Sequence, residues 1–255
     1  MGILDTFGLK GKVAVVTGSE RGLGQGMAIA LAEAGADIFG VSYPPDANET
    51  KAAIERTGRR YVHFQANLLS IEPVDAIIKA AIEAYGHIDI LVNNAGIIKR
   101  NDALAFTEAE WDDVMNINVK TVFFMSQAAA NQFIKQKTGG KIINIASMLS
   151  FQGGFRVPSY TASKSGVKGI TMSMANEWAQ YGINANAIAP GYMATENTAP
   201  LRADSKRSGD ILDRIPASRW GTPQDIAGAA VFLASSASDY VNGATLAVDG
   251  GWLAR

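Results

Sequence analysis

Short apolar runs rich in β-branched side chains alternate along this chain with stretches in which apolar residues recur every three or four positions. Val13-Ala14-Val15-Val16 has no polar interruption and runs into glycines, which predicts a strand buried on both faces of a parallel sheet. Met27-Ala28-Ile29-Ala30-Leu31-Ala32, closed by Gly35, predicts the helix that follows. The unit repeats with a strand at Asp37-Ile38-Phe39-Gly40-Val41, a helix at 47–57 and a strand at Tyr61-Val62-His63-Phe64. A helix over 71–85 stops at Gly86 before the strand Ile88-Asp89-Ile90-Leu91-Val92. Long helical stretches at 107–137 and 158–181 flank Lys141-Ile142-Ile143-Asn144-Ile145. Ile183 to Ile188 predicts a sixth strand, 223–235 a helix, and Ala244 to Val248 a seventh strand. Seven strands alternating with helices predict an α/β fold, a doubly wound parallel seven-stranded sheet with helices on both faces, as a single domain spanning 1–255.

One segment breaks the alternation. Residues 192–221 hold Pro200, Pro216, Lys206 and the arginines Arg202, Arg207, Arg214 and Arg219 with weak periodicity, and predict a lid over a substrate site. Composition narrows the function classes. Hydrophobic residues at 47% and charged ones at 18% exclude a disordered chain, and no apolar run reaches the ~18 residues of a membrane span. Twenty-three basic against 24 acidic side chains leave no nucleic-acid footprint. The absence of cysteine removes thiolate nucleophiles and disulfides, and His63 and His87 are too few for a histidine metal site, so no metal is expected. The N-terminal residues lack a basic start followed by an apolar stretch, which predicts a cytoplasmic protein. Gly2 with Thr6 fits an acylation pattern and Asn48-Glu49-Thr50 a glycosylation pattern, and both are read as coincidences of local sequence.

Candidate chemistry sits where strands meet helices. Thr17-Gly18-Ser19-Glu20-Arg21-Gly22-Leu23-Gly24 joins the first strand to the first helix, where backbone N–H groups and a positive helix end suit a pyrophosphate. Asn93-Asn94-Ala95-Gly96 ends the fourth strand on the same predicted edge. Tyr160 and Lys164, four apart near a helix start, share one face, and an ammonium there should lower the phenol pKa. Ser147 ends the fifth strand thirteen residues before Tyr160, so the turn can bring its hydroxyl beside the phenol.

Taken in order, Thr17 to Gly24, Asn93 to Gly96, Asn118, Ser147, Tyr160 with Lys164, and Pro190-Gly191 resemble the short-chain dehydrogenase/reductase family over essentially the whole chain. The resemblance implies a Rossmann-type fold and nicotinamide-dependent hydride transfer. It implies Tyr160 as general acid in reduction and base in oxidation, Ser147 on the substrate oxygen, Lys164 on the nicotinamide ribose, and Asn118 holding a relay water. Gly18, Arg21, Gly22, Leu23, Gly24, Ser42, Asn67, Leu68, Asn94, Ala95, Gly96, Pro190, Gly191, Met193 and Thr195, with Tyr160 and Lys164, are its candidate cofactor residues. Val41-Ser42-Tyr43-Pro44 lacks the acid that NAD-dependent members carry after the second strand. Arg21 suits a 2′-phosphate, so NADP stands beside NAD, and Asn67 replaces an aspartate that reads adenine.

Longer stretches, among them Asn93 to Arg100, Trp111 to Met115, Ser147 to Gly154, Arg156 to Tyr160 and Val248 to Arg255, resemble the family branch that reduces keto-uronates in pectin breakdown. That resemblance implies a C5 ketone as the reducible group, NADH as the usual reductant and a cytoplasmic homotetramer. An anionic substrate suits arginine, and Arg156, Arg100 and Arg202 border the predicted site, with Arg156 the first choice for the carboxylate. A sister reductase of gluconate, another polyol or an acyl-carrier thioester, and a non-catalytic nucleotide-binding regulator, are the alternatives; the intact Ser-Tyr-Lys set speaks against the regulator.

Overall fold

In the computed structural model, which describes residues 2–255, seven strands form one all-parallel sheet in the order β3-β2-β1-β4-β5-β6-β7. The strands are β1 Val13–Thr17, β2 Asp37–Ser42, β3 Tyr61–Gln65, β4 Ile90–Asn93, β5 Gly140–Ile145, β6 Ile183–Pro190 and β7 Thr245–Val248. The helices are α1 Gly22–Glu33, α2 Asn48–Arg56, α3 Val74–Tyr85, α4 Glu108–Met115, α5 Thr121–Gln136, α6 Pro158–Trp178, α7 Ala199–Ala203, α8 Ser205–Leu212 and α9 Pro223–Ala234.

All five residues of β1 are buried, and period-2 alternation divides them between two apolar layers. Ala14 and Val16 pack with Met27, Leu31 and Ile226 of α1 and α9, while Val13 and Val15 pack with Ile77 and Phe133 of α3 and α5. Burial on both faces explains why this strand reads as an uninterrupted apolar run. Chain order reverses at β1, which pairs with β2 on one side and β4 on the other, with Val16 opposite both Gly40 and Val92. A crevice therefore opens beyond the carboxyl ends of β1 and β4.

Several boundaries differ from the sequence reading. The fourth strand starts at Ile90, because Asp89 turns its carboxylate to the Val13 amide and the Lys12 ammonium, 3.0 Å from each. The helical stretch at 107–137 is interrupted by a π-turn over Asn116–Lys120 between α4 and α5, a feature often found at functional sites. The closing strand β7 starts at Thr245 rather than Ala244 and is an edge strand whose Leu246 and Ala247 are exposed.

Candidate active site

The β1–α1 turn is shaped by contacts that exclude side chains. Gly22 takes a left-handed φ of 58°, and a Cβ on Gly24 would collide with the Gly18 carbonyl oxygen. No side chain caps α1, so its first-turn amides and positive end face a cleft of about 1740 Å³. Gly18, Arg21, Gly22 and Leu23 line one end, with Ser42, Asn67 and Leu68 beyond the neighbouring strands and Asn94, Ala95 and Gly96 in the middle. Asn94 is fixed by Nδ2 bonds to the Thr17 and Gly18 carbonyls at 3.0 and 3.1 Å, which ties the two strand ends together. This cradle of open amides and glycines fits a dinucleotide pyrophosphate.

The catalytic candidates converge at the middle of the cleft. Pro158 starts α6, and its first turns carry Tyr160 and Lys164 into the cleft wall. Lys164 is 5% exposed; its Nζ donates to the Ile145 carbonyl at 2.6 Å and lies 5.5 Å from the centre of the Tyr160 ring. Burial pushes the Lys164 ammonium down to about 8. The Ser147 hydroxyl, two residues past the end of β5 rather than on the strand, sits beside the phenol and accepts from the Leu149 amide at 3.1 Å. Burial pushes the Tyr160 phenol above its ordinary value, against the opposing pull of Ser147 and the Arg100 guanidinium. The expected lowering by Lys164 is thus reversed, because desolvation outweighs the charges around the phenol.

Asn118 lies in the π-turn, wholly buried and outside the cleft lining. Its Oδ1 accepts from the Ile97 amide at 2.9 Å, and its Nδ2 donates to the Ile97 carbonyl at 3.0 Å and to Ser163 Oγ at 3.1 Å. It holds the strand β4 exit against α6, which fixes Gly96 and Ile97 relative to Tyr160. Pro190, Met193 and Gly24 likewise stand behind the lining: Pro190 ends β6, and Met193 is 5% exposed and bridged to Gly221. Asn67 Oδ1 already accepts from the Leu69 amide at 3.0 Å, leaving one lone pair for adenine.

The three chosen arginines all reach the cleft but differ in what they touch. Arg156 takes a left-handed φ of 61° and pairs with Asp102 at 3.1 Å, so its charge is occupied. Arg100 donates to the Asn197 carbonyl and Arg202 to the Thr195 carbonyl, both at 3.0 Å. Arg21 is paired with Glu196 at 2.6 Å, which spans from the glycine turn to segment 192–221. That segment contains α7 and α8 and borders the cleft through Gly191, Tyr192, Thr195, Leu201, Arg207 and Arg214.

Sequence reasoning missed the group beneath this roof. Tyr192 packs edge-on against Trp252 and Trp220, with ring centres 4.8 and 5.5 Å away, and Arg214 lies 4.0 Å over the Trp252 ring. The Trp252 indole N–H is buried without a partner in the cleft wall. Only an aromatic pair separated by sixty residues hints at this contact, and no local period links them.

The family model described as Enoyl-(Acyl carrier protein) reductase matches residues 17–253. The chain is 66% identical over 253 residues to the 2-dehydro-3-deoxy-D-gluconate 5-dehydrogenase of Escherichia coli (strain K12), covering 99% of this chain and 100% of that one. An Agrobacterium tumefaciens structure with bound NADP superposes at TM-score 0.93 with 51% identity, covering 98% of this chain and 99% of the other. The gluconate 5-dehydrogenase of Burkholderia cenocepacia J2315, in complex with NADP and tartrate, superposes at TM-score 0.95 with 41% identity over 100% of both chains. The parallel sheet with its crevice at the β1/β4 reversal, the glycine turn and the Ser147, Tyr160 and Lys164 cluster agree with these matches, and the chain belongs to the short-chain dehydrogenase/reductase family.

Proposed function

We propose that this chain is a nicotinamide-dependent oxidoreductase that reduces the C5 ketone of 2,5-diketo-3-deoxygluconate to 2-keto-3-deoxy-D-gluconate, reversibly, in the breakdown of pectin and other uronate polymers. The observation that carries the reading is the Ser147, Tyr160 and Lys164 cluster at the centre of the cleft, in a chain 66% identical across its length to an enzyme of that name. NAD(H) is the cofactor of this reading, with NADP(H) the competitor, since both solved relatives named above hold NADP. The nicotinamide would supply or take the hydride. Gly18, Gly22, Leu23 and the α1 amides would hold the pyrophosphate, Ser42, Asn67 and Leu68 the adenosine end, and Asn94 to Gly96, Gly191 and Thr195 the nicotinamide half.

The remaining roles belong to side chains of this chain. Tyr160 gives its proton to the ketone oxygen in reduction and regains it in oxidation, while the Ser147 hydroxyl holds the same oxygen by a hydrogen bond. A phenol held above its ordinary value arrives protonated at neutral pH, as an acid catalyst of reduction must. Lys164, still mostly charged at pH 7, lowers the cost of the phenolate left behind and holds ribose hydroxyls. Asn118 keeps Gly96 and Ile97 in place; the relay-water role implied by the resemblance does not fall to its side chain, whose two N–H groups are both donated to protein and which lies outside the cleft lining. Arg100, whose charge acts on Tyr160, is the leading partner for the substrate carboxylate; Arg202 is second, and Arg156 follows because Asp102 occupies it.

A cytoplasmic homotetramer completes the reading; the exposed apolar side chains Leu104, Met172 and Leu246 supply surface that further copies would cover. The test is oxidation of NADH, followed by absorbance, with 2,5-diketo-3-deoxygluconate against 5-keto-gluconate and an acyl-carrier thioester. Turnover at least tenfold faster with the deoxy diketo acid is expected. Faster turnover of 5-keto-gluconate would transfer the chain to the gluconate branch, to which the Burkholderia cenocepacia structure belongs.

A further inference from the structure

The end of β2 carries no acid, yet a carboxylate reaches the same part of the cleft from the glycine turn. Glu20 lies between Gly18 and Gly22, and its side chain is 16% exposed. It lines the cleft together with Val41, Ser42 and Tyr43, the residues that end and follow β2. Its backbone is held in place: the carbonyl accepts from Gln25 Nε2 and Thr50 Oγ1, both at 3.2 Å, and Thr50 is wholly buried in α2. The carboxylate therefore has a fixed root. Its charge acts on Tyr61 and His63 of β3, and His63 Nε2 in turn bonds Oγ of Ser42, the last residue of β2, at 2.7 Å.

Oε2 of Glu20 is removed from solvent and has no hydrogen-bond partner, whereas Oε1 lies 3.8 Å from Arg21 Nε. A buried carboxylate oxygen without a donor is costly, and a ligand hydroxyl would remove that cost. The neighbouring cation that suits a 2′-phosphate is directed elsewhere, since Arg21 Nη1 is 2.6 Å from Glu196 Oε2. A 2′-phosphate at this position would bring about two negative charges against Glu20, whose adjacent cation Arg21 is already paired with Glu196; a ribose bearing two hydroxyls brings donors. We propose that Glu20 takes the place of the missing β2 acid, accepts the adenosine ribose hydroxyls and sets a preference for NAD(H) over NADP(H). This rests on the dinucleotide reading of the cleft given above.

The test is direct binding of NADH and of NADPH, without substrate, followed by nicotinamide fluorescence for the wild type, Glu20→Gln and Glu20→Ala. The wild type is expected to bind NADH at least tenfold tighter than NADPH. Glu20→Gln, which keeps shape and removes charge, should tighten NADPH, and Glu20→Ala should also loosen NADH, so that each lowers the preference at least tenfold. Melting temperatures identify a variant that fails to fold, and the other variant then decides. A wild type that prefers NADPH, or a ratio of the two Kd values unchanged within twofold in the folded variants, overturns the assignment of Glu20. Failure of the wild type to bind either dinucleotide overturns the underlying reading of the cleft instead.

Discussion

Ser147 and Lys164 at the floor of the cleft, and Asn118 behind it, are each less than a tenth exposed, and Asn118 and Lys164 are bonded to backbone groups of other segments. The roof, segment 192–221, is built differently. Arg202 and Arg207 are exposed, Arg202 donates to the Thr195 carbonyl of its own segment, and Arg214 rests on the Trp252 ring. Proton transfer tolerates little misplacement, and the candidate groups for it are held by buried backbone bonds after a strand end and on a long helix. Reading a flexible, multiply hydroxylated acid requires donors that adjust, and exposed arginines on short helices provide them at small cost in stability. On the proposed reading the floor carries the rate, and the roof and rim carry the choice of substrate.

The contrast breaks first at Tyr160 if it breaks at all. Tyr160→Phe keeps the ring and removes the transferable proton, so kcat/KM should fall by about a thousandfold while the dinucleotide Kd stays within about threefold. Activity retained within tenfold would mean that the floor does not hold the acid.

Arg100→Ala sharpens the role of the rim. Loss of a charge-assisted contact costs about 1.5–3 kcal/mol, so kcat/KM should drop roughly ten- to a hundredfold for a keto acid and much less for a neutral ketone of similar size. Arg156→Ala should cost less and treat both substrates alike, because it releases Asp102 rather than substrate. Equal losses on acid and neutral substrates in Arg100→Ala would remove the carboxylate from Arg100.

The burial of the floor has its own signature in stability against pH. Lys164 is held at about 8 in the folded chain against 10.5 as its ordinary value, so between these limits the unfolded chain binds the proton and the folded chain does not. Stability contributed at this site is therefore lowest below pH 8 and rises as pH climbs through that window. The Tm of the wild type minus that of Lys164→Met should increase from pH 7.5 to 9.5. A flat difference would show that the ammonium is better hydrated than the floor geometry implies.

The smallest effect belongs to the link between floor and roof. Arg21 and Glu196 are 63% and 72% exposed, and surface pairs contribute at most about 1 kcal/mol, so Glu196→Gln should change the dinucleotide off-rate by less than about fivefold. A larger change, measured by stopped-flow displacement, would make this pair a latch.

Local pattern was sufficient for the strands and for placing the candidate catalytic groups in order along the chain. β1 announced itself because both its faces are buried, and Tyr160 and Lys164 share a face because a helix repeats every 3.6 residues. The glycine turn was legible too, since Gly24 must pass the Gly18 carbonyl and only glycine fits. What depends on distance along the chain was not. The π-turn at Asn118 is set by Ile97 and Ser163 from other segments, and the occupation of Arg156 by Asp102 joins residues 54 apart. The direction of the Tyr160 shift needed burial, which periodicity does not report, to be weighed against nearby charge. No acid stands at the end of β2 in the sequence, while folding brings Glu20 of a different turn to the same wall of the cleft. Period and turn chemistry are properties of neighbours in the chain; desolvation and charge pairing are properties of neighbours in space, and only the closed sheet with its helices determines which those are.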